Sequence, residues 1–428
     1  MDKYNAIVTQ CDIKDETKKG SLSHLKIALK DNISTKGVKT TASSKILENY
    51  TPVFNATVVE RIINAGGHIV AKTTMDELGM GGYGKNPATG PTLNAIDQNR
   101  MAGGSSAGSA VLVASGVVDV ALGTDTGDSM RIPASYNGIV GLKPTYGRVS
   151  RYGVVPYPAS LDHDGIFAKD IKTVATMLEV IAGYDRLDQV TSHKEVERYS
   201  DLDSDVNDVK IAILDNVLNE IDNEEIIGAF YRLVNALDLR YSEVKTVSMD
   251  EDLFKALPIV YKIIANAEAF SNHSNLSGVP FGNRIAGDTF SETILKTRSN
   301  GFSFQVAQRM FIGATTLMSE NYTDVYVKAQ KVRRKIVDNL NEMKEDYDFI
   351  IAPAASRIAP LLSEDEDEHA TLADSYMVMD NFSGHPGIVI PLGTSESMPF
   401  GLYISTRAFN EKQLLSFAAI IEEMVGEL

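Results

Sequence analysis

Cysteine is nearly absent from this sequence: Cys11 is the only one in 428 residues. A lone cysteine cannot close a disulfide within the chain, so we expect the protein to fold without covalent cross-links, as is usual in a reducing compartment. Cys11 also lies outside the glycine- and serine-rich segments described below. A thiol nucleophile is therefore not expected.

Long apolar runs are missing as well. No stretch of about 18 apolar residues occurs, so no transmembrane helix is predicted. The N-terminal sequence MDKYNAIVTQ lacks the basic-then-apolar pattern of a secretory signal. We expect a soluble, cytoplasmic protein. Although 428 residues are long for one domain, large α/β enzymes fill that length around a single sheet.

Basic residues are outnumbered by acidic ones, 41 against 57, which gives a formal net charge of −16. Affinity for nucleic acid comes mostly from basic side chains that face phosphates. This chain is therefore not expected to be the main RNA-binding surface of any assembly, and RNA contact would fall to a partner. The acidic segment Ser363–Ala370 is expected to be a solvated loop with no binding role.

Two ligand-binding patterns are also missing. The phosphate-binding pattern G-x-x-x-x-G-K-[ST] does not occur, and neither do the clustered cysteines and histidines of a zinc site. We therefore expect this chain to bind neither ATP nor a metal ion.

Glycine and serine, by contrast, are concentrated in two neighbouring segments. GGSSAGSA begins at Gly103, and GTDTGDSMRIPAS begins at Gly123 after a short apolar run. Glycines let the backbone turn tightly and point its N–H groups inward, an arrangement that can hold a developing oxyanion. The two segments predict acyl-transfer chemistry at a serine.

A serine nucleophile needs a base within hydrogen-bond reach. The seven histidines are scattered, and none lies in a segment built around it. Lys30 instead ends the apolar, strand-like run LKIALK and precedes the turn-prone DNIST. Because burial lowers the pKa of a lysine until it can act as a neutral base, the sequence favours Lys30.

A second interpretation uses a different serine. The residues Gly104–Gly108, GSSAG, match the nucleophile-elbow pattern G-x-S-x-G, with Ser106 as the nucleophile and a histidine as the base. This pattern alone is weak, because it leaves Lys30 and Ser129 without a role.

Helical and extended patterns alternate along the chain, which predicts an α/β fold. An amphipathic helix is predicted at about 56–66, before the strand HIVAKT, and the small-residue helix SAVLVASGV precedes the strand VDVALGTD. Further strands are predicted at VKIAILD, FIIAP and GIVIP. A long helical stretch is predicted from about Phe304 to Met343, and KQLLSFAAIIEEMV is expected to close the chain as a helix.

These segments resemble the amidase signature family of serine amidohydrolases. The resemblance runs through KDNISTKG, TVVER, KTTMDE and GLKPTYGRVSRYG and covers nearly the whole chain. It implies an α/β amidase-signature fold, in which a mixed β-sheet core is covered by helices on both faces. It also implies a single domain over residues 1–428, with a helical subregion at about 185–300.

The resemblance implies roles for single residues. Ser129 would be the nucleophile, Ser105 the relay serine that follows a cis peptide bond, and Lys30 the base. The implied oxyanion hole consists of the backbone N–H groups of Thr126, Gly127, Asp128 and Ser129. The substrate-binding side chains implied are Arg309 for an α-carboxylate, Asp374 for an α-amino group and Tyr261 as a residue of the pocket wall.

Within the family, the same segments are most similar to the A subunits of glutamyl-tRNA(Gln) amidotransferases. That similarity implies hydrolysis of glutamine by this chain in a complex with B and C subunits. The ammonia would pass to the B subunit, where glutamate on mischarged tRNA(Gln), activated by ATP with Mg²⁺, becomes glutamine. Mischarged tRNA would be bound mainly by the B subunit, and no cofactor is expected on this chain.

Two departures from the family pattern keep other interpretations open. Asp128 stands where the family usually has glycine, and only 29 residues precede Lys30, where relatives carry an additional helical region. A catalytically decayed scaffold subunit, with a docking surface lost, is one alternative. A stand-alone amidase that acts on small or fatty amides is the other, because it would share the same triad.

Overall fold

The computed structural model describes residues 2–204, 206–364 and 371–427. The acidic segment expected as a solvated loop lies outside the described residues from position 365 onward. Within the described ranges, no helix is both long enough and apolar enough to span a bilayer.

Eleven strands in the described residues form one sheet, in the order β1-β3-β2-β4-β6-β5-β10-β11-β9-β7-β8. Their bounds are β1 Ile7–Ile13, β2 Lys26–Lys30, β3 His68–Thr73, β4 Val120–Asp125, β5 Val140–Lys143, β6 His163–Ala168, β7 Lys210–Leu214, β8 Glu243–Val247, β9 Phe349–Pro353, β10 Gly387–Ser395 and β11 Met398–Ser405.

The sheet is mixed, as predicted. Strand β2 pairs in parallel with β3 and β4, and β7 pairs in parallel with β8 and β9, whereas the other pairings are antiparallel. Every residue of β4, β5, β6, β9 and β11 is buried. Because successive side chains of a strand point to opposite faces, complete burial means that both faces of the sheet centre are covered.

The helices that cover the sheet are distributed along the whole chain. Their bounds are α1 Thr57–Asn64, α2 Ala107–Ala114, α3 Arg131–Asn137, α4 Ile171–Ile181, α5 Asp215–Leu218, α6 Glu224–Arg240, α7 Glu251–Asn272, α8 Phe290–Gly301, α9 Phe304–Thr316, α10 Ser319–Asn321, α11 Lys328–Asp346, α12 Met379–Ser383 and α13 Glu411–Glu427.

The helical stretch predicted from Phe304 to Met343 is interrupted in the structure. Helix α9 ends at Thr316, and a π-helical turn, Tyr322–Val327, separates α10 from α11. The segment 185–300, expected as a helical subregion, contains α5, α6, α7 and nearly all of α8 together with the sheet strands β7 and β8.

Three chain segments meet at one edge of the sheet. Lys30 is the last residue of β2, and Asp125 is the last residue of the neighbouring parallel strand β4. The turn at Gly103–Ser106 precedes α2, which packs against β4. Since parallel neighbours end at the same edge, the sheet brings these three segments together.

Helices α7 and α9 form a second wall beside this edge. They approach so closely that a Cβ atom at Gly313 would lie 2.0 Å from the carbonyl oxygen of Asn266. A second apolar cluster fixes the pair to the rest of the molecule, with Met75, Ala265 and Met310 among its buried members. Tyr261 on α7 and Arg309 on α9 are thereby held near the sheet edge.

Candidate active site

Lys30 is completely buried and makes four polar contacts through its amine. Its Nζ lies 2.8 Å from Ser105 Oγ, 2.9 Å from Ser106 Oγ, 2.8 Å from Thr124 Oγ1 and 3.2 Å from the Thr124 carbonyl oxygen. An ammonium group has three hydrogens to donate, whereas a neutral amine has two hydrogens and one lone pair. Three of the four partners are hydroxyl groups, which can accept from an ammonium group or donate to a neutral amine, so the contacts are compatible with either form.

Burial shifts the protonation of Lys30 toward that neutral form. Loss of hydration lowers the pKa of Lys30 from 10.5 to about 7, and the buried carboxylates of Asp76, Asp162 and Asp125 oppose the shift. A group with this pKa exchanges protons readily near neutrality, which suits a general base. The structure therefore brings together the predicted base and the predicted relay serine, Ser105.

The turn that carries Ser105 is shaped by glycine. The peptide bond between Gly104 and Ser105 is cis. A Cβ atom at Gly104 would lie 2.0 Å from Asp76 Oδ2, so no larger residue fits there. Asp76 is held in turn by the backbone N–H groups of Gly84, at 3.1 Å, and Asn86, at 3.0 Å, and its own N–H donates to the Ser105 carbonyl oxygen.

Ser129 lies in the short loop between β4 and α3 and is 4% exposed. In the described residues, no hydrogen bond joins its hydroxyl to that of Ser105 or to any other group. The predicted nucleophile is therefore not hydrogen-bonded to the relay serine, and it directly follows Asp128, which lines the cavity described below.

The loop before Ser129 presents unused backbone donors. None of the N–H groups of Thr126, Gly127, Asp128 and Ser129 donates a hydrogen bond to another described residue. No residue of the loop has a positive φ, so Asp128 occupies the position without a strained backbone. N–H groups without a described acceptor beside a serine are available to donate to an oxyanion.

A buried ion pair anchors this loop at both ends. The Arg131 guanidinium binds both carboxylate oxygens of Asp125, at 2.9 and 3.1 Å, and donates to the Gly127 carbonyl oxygen at 2.6 Å. Burial by itself would raise the pKa of Asp125, but Arg131 holds it at about 2, aided by Asn381. The loop is also tied from its side, because the Thr126 hydroxyl donates to Asp162 Oδ1 at 2.6 Å.

A cavity of about 370 Å³ opens beside the loop, a size usual for small-molecule sites. Charged side chains of both signs and several amides line it. The lining residues are Gly81, Gly82, Tyr83, Asp128, Ile132, Tyr136, Tyr261, Lys262, Asn266, Gln305, Gln308, Arg309, Ile312, Asp374 and Ser375. All three side chains predicted to bind substrate are among them.

Arg309 and Tyr261 face the loop from the helical wall. Arg309 donates from Nη1 to the Tyr157 hydroxyl at 3.1 Å, and no described carboxylate forms an ion pair with it. A Cβ atom at Gly127 would lie 3.1 Å from the Tyr261 ring, so the ring packs directly on the loop backbone. Arg309 is thus a cation in the cavity with donors to spare.

Asp374, in contrast, is engaged by its own surroundings. Its Oδ1 accepts from the backbone N–H of Ser356 at 3.0 Å, its Oδ2 accepts from the N–H of Thr371 at 3.0 Å, and the Ser356 hydroxyl contacts both oxygens. The bond from Thr371 is one half of a capping box on a short 3₁₀ turn, Leu372–Asp374; in the other half the Asp374 N–H donates to the Thr371 side chain. Asp374 lines the cavity and also has this structural role.

Ser106 does not reach the cavity. Its hydroxyl donates a hydrogen bond to the Thr124 carbonyl oxygen at 3.0 Å and accepts one from the Lys30 amine at 2.9 Å. The residue is completely buried. No described histidine bonds to it. The geometry disfavours the elbow interpretation, because Ser106 has no histidine partner among the described residues and its hydroxyl bonds to the backbone of Thr124.

Three buried carboxylates near Lys30 were not predicted from the sequence as residues of the site. Asp76, Asp162 and Asp164 are completely or almost completely buried near Lys30. Burial raises the pKa of Asp162 to about 6 and that of Asp164 to about 8. The only sequence signal for two of them is the short run LDHDG, which has no recognisable pattern of its own. In the described chain, no three His, Cys, Asp or Glu residues are arranged to hold a metal ion.

Comparison with known proteins agrees with this architecture. A model of the family described as Amidase matches residues 3–415. The A subunit of glutamyl-tRNA(Gln) amidotransferase from Koribacter versatilis is 40% identical over 410 residues, which cover 95% of this chain and 85% of that protein. The corresponding protein of Thermotoga maritima is 39% identical, with coverage of 95% and 85%.

Solved structures agree as well. The crystal structure of the Thermotoga maritima protein superposes with a TM-score of 0.82 at 36% identity, covering 97% of this chain and 86% of that one. A crystal structure described as amidase gives a TM-score of 0.80 at 29% identity, covering 98% and 92%. This chain belongs to the amidase family.

Proposed function

We propose that this chain is the glutamine-hydrolysing A subunit of a glutamyl-tRNA(Gln) amidotransferase. One observation carries the proposal: a buried Lys30 amine bonded to Ser105 lies beside four free N–H groups, next to a cavity lined by charges of both signs. Such a cavity suits a small zwitterion. Relatives that are A subunits of glutamyl-tRNA(Gln) amidotransferases, 40% identical over 94–95% of this chain, support it.

The acylation step uses the buried amine as a proton store. Neutral Lys30 takes the proton of Ser105, which takes the proton of Ser129, and the Ser129 oxygen attacks the side-chain amide carbon of glutamine. The N–H groups of the 126–129 loop stabilise the oxyanion, and each such donor contributes about 3 kcal/mol in other enzymes. The carbon–nitrogen bond then breaks as Ser105 protonates the departing nitrogen and recovers a proton from Lys30.

Deacylation repeats the sequence with water. Water gives its proton through Ser105 to Lys30 while its oxygen attacks the glutamyl ester on Ser129. Ser129 leaves with the returned proton, and glutamate is released. The net reaction converts glutamine and water into glutamate and ammonia, and Lys30 ends neutral.

The cavity composition favours glutamine over a fatty amide. The Arg309 guanidinium can donate two parallel hydrogen bonds to an α-carboxylate. The side-chain amides of Asn266, Gln305 and Gln308 add polar groups, and only Ile132 and Ile312 are aliphatic. An alkyl chain would leave these polar groups without partners, which costs binding energy.

The partners in the proposal are B and C subunits. The B subunit would hold ATP, Mg²⁺ and mischarged tRNA, since this chain has a net charge of −16 and is poorly suited to bind RNA. The complex would act in the cytoplasm, where the ammonia released here would amidate glutamyl-tRNA(Gln).

The test is ammonia release from glutamine by the chain co-expressed with B and C subunits. Wild type is compared with Ser129→Ala, Lys30→Ala and Ser106→Ala, and asparagine and a fatty amide are run in parallel. We expect cleavage of glutamine that Ser129→Ala and Lys30→Ala both abolish. Loss in Ser106→Ala with full activity in Ser129→Ala would instead favour the elbow interpretation.

Two other outcomes would replace the proposal. Cleavage of the fatty amide alone would make the chain a stand-alone amidase. A complex that assembles but releases no ammonia, even with ATP and mischarged tRNA present, would make it a decayed scaffold subunit.

A further inference from the structure

The buried amine of Lys30 must lose a proton in every reaction cycle if ammonia departs as a neutral molecule, the form in which it can act as a nucleophile. Glutamine and water then give glutamate, ammonia and one proton, because the side-chain carboxylic acid of the product ionises at neutral pH. In the proposed cycle this proton reaches Lys30, which is completely buried. Because substrate and product occupy the cavity of the active site in turn, a separate route from the amine to solvent would speed the return to the neutral base.

The Thr124 hydroxyl is the first group on such a route. Its Oγ1 lies 2.8 Å from Lys30 Nζ and 3.2 Å from Asn32 Nδ2, an amide nitrogen that can only donate. When Lys30 is protonated, its amine can also only donate, so both lone pairs of the hydroxyl are engaged. Protonation of Lys30 therefore turns the hydroxyl hydrogen of Thr124 toward another acceptor.

Asp164 lies directly opposite Thr124 in the antiparallel pair of β4 and β6. Opposite residues of such a pair place their side chains on the same face, with Cβ atoms about 4.5–5.5 Å apart. Asp164 is 1% exposed, and neither of its carboxylate oxygens has a hydrogen-bond partner in the described residues. Buried polar atoms of this kind are usually bonded to water. Asp164 is therefore an acceptor on the same face as Thr124, at a separation that one water molecule can bridge.

A second cavity, of about 180 Å³, connects the surroundings of Asp164 with the surface. Its lining residues are Arg151, Tyr152, Val154, Pro156, Ala159, Asp162, Leu187 and Asp188, none of which lines the cavity of the active site. Leu187 is 54% exposed, so the second cavity borders on solvent. The charged groups that act most strongly on Asp164 are three residues of this lining, Arg151, Asp162 and Asp188, followed by Lys30. Asp164 is thus within electrostatic reach of both the buried base and the charged wall of the second cavity.

The proton affinities of the two buried groups favour transfer in this direction. Burial lowers the pKa of Lys30 to about 7. Burial raises the pKa of Asp164 to about 8, and although Arg151 opposes the rise, Asp162 and Asp188 add to it. A proton on the amine therefore passes downhill to the carboxylate of Asp164.

We propose that Asp164 is the proton partner of Lys30 and returns the buried base to its neutral form after each turnover. The inference rests on the proposed function. The ammonium group gives a proton to the Thr124 hydroxyl, the hydroxyl passes its own hydrogen through one water molecule to the Asp164 carboxylate, and the resulting acid releases a proton to water in the second cavity. Only bonds to hydrogen form and break, and all three side chains end as they began.

The test measures ammonia release from glutamine by the co-expressed complex at about pH 8, where resting Lys30 is neutral. In Asp164→Asn, kcat should fall about tenfold, less than the ~100-fold or more lost with a group that transfers a proton in the transition state. The value of kcat/KM should stay unchanged, because ammonia departs before the proton does. Thr124→Val should behave in the same way, whereas Thr124→Ser, which keeps a hydroxyl, should resemble wild type.

Two signatures distinguish slow proton release from damage to the site. Asp164→Asn should show a burst of ammonia equimolar with the active sites, followed by slow turnover, because the first cycle starts from neutral Lys30. Imidazole, a small base that can enter the second cavity, should raise kcat of this variant at constant ionic strength and leave wild type unchanged. The double variant with Thr124→Val should be no slower than either single variant, since both changes interrupt one path.

Glu411→Gln is the matched control at a buried carboxylate outside both cavities. Glu411 begins α13 and is completely buried, and its Oε2 has no hydrogen-bond partner in the described residues. Its Oε1 accepts from the N–H of Thr145 at 2.9 Å, and it lines neither cavity. The kcat of this variant should equal that of wild type. An unchanged kcat in Asp164→Asn, an equal loss in Glu411→Gln, or a loss of kcat/KM in Asp164→Asn without a response to imidazole overturns the inference.

A fatty amide run in parallel separates this inference from the proposed function. If the complex cleaves only the fatty amide, and Asp164→Asn shows the burst and the imidazole response with it, the function is wrong and the inference stands. If glutamine is cleaved and Asp164→Asn shows neither signature, the function stands and the inference is overturned. If the assembled complex cleaves neither amide, both are overturned.

Discussion

A single amine without access to water underlies the proposed chemistry. Lysine is usually a surface residue, and its usual positive charge prevents it from acting as a base. At the end of β2, Lys30 has no exposed surface, and burial lowers its pKa to about 7 despite several carboxylates nearby. The result is a lysine that can both take up and return a proton at neutral pH.

The titration of Lys30 predicts the pH dependence of turnover. The folded pKa of about 7 lies below the usual 10.5, so the neutral base exists above pH 7 and is lost as the pH falls. At saturating glutamine, kcat should therefore drop about tenfold per pH unit below 7 and level off above it. The measurement is ammonia release between pH 5 and 9, run at about constant ionic strength.

Lys30→Arg is the control for this profile, because a guanidinium stays protonated throughout the range. It should be inactive at every pH while its circular dichroism remains that of wild type. A wild-type kcat that stays level down to pH 5 would exclude Lys30 as the base.

At the scale of elements, the site depends on the contact between α7 and α9. Tyr261 on α7 packs on the backbone of the 126–129 loop, and Arg309 on α9 enters the cavity from the same wall. Both positions follow from the close approach of the helices at Gly313, where a backbone carbonyl occupies the space of a side chain.

Gly313→Ala should push these helices apart. The added methyl group would meet the Asn266 carbonyl at 2.0 Å, so α9 must move, and we expect a loss of about 1–3 kcal/mol in the free energy of unfolding. Arg309 lies four residues earlier on α9, so KM for glutamine should also rise. Urea denaturation and steady-state kinetics measure the two effects.

Gly228→Ala is the matched control on α6. The nearest atom to its new Cβ would be Arg232 Nη1, at 3.7 Å. Because alanine is a better helix former than glycine, this variant should be slightly more stable than wild type, with unchanged KM. Equal behaviour of the two variants would contradict the proposed role of the α7–α9 contact.

For the whole molecule, one sheet that is covered on both faces supplies the rigid frame, and the chain carries a net charge of −16. The frame brings residues together that are far apart in sequence: Lys30, Ser105 and Arg309 come from three separate regions.

The net charge has a different consequence, because an acidic protein repels a polyanion.

The isolated chain should therefore bind tRNA weakly. In a filter-binding assay at about 0.15 M ionic strength we expect no saturable binding by the chain alone and clear binding once the B subunit is present. Tight binding by the isolated chain that weakens steeply with added salt would contradict this prediction, since it would reveal a basic patch that the overall charge conceals.

Local patterns were enough to predict many elements. Amphipathic spacing predicts the helix that the structure shows as α1, and short apolar runs predict β3, β4, β7, β9 and β10. The break between α9 and α11 was not predicted, because the residues from Leu317 to Val327 carry no proline or glycine to mark it. Their π-helical turn depends on packing that a local pattern does not encode.

The sequence by itself determined which chemistry this chain can support. Glycines at fixed positions, two serines and a lysine after an apolar run are properties of the chain, and together with the resemblance they identify the family. Only the tertiary structure decided how those groups behave. Folding desolvates Lys30, engages Asp374 with Ser356 and leaves Asp128 free in the cavity, because burial and hydrogen-bond partners come from segments that are separate in the sequence.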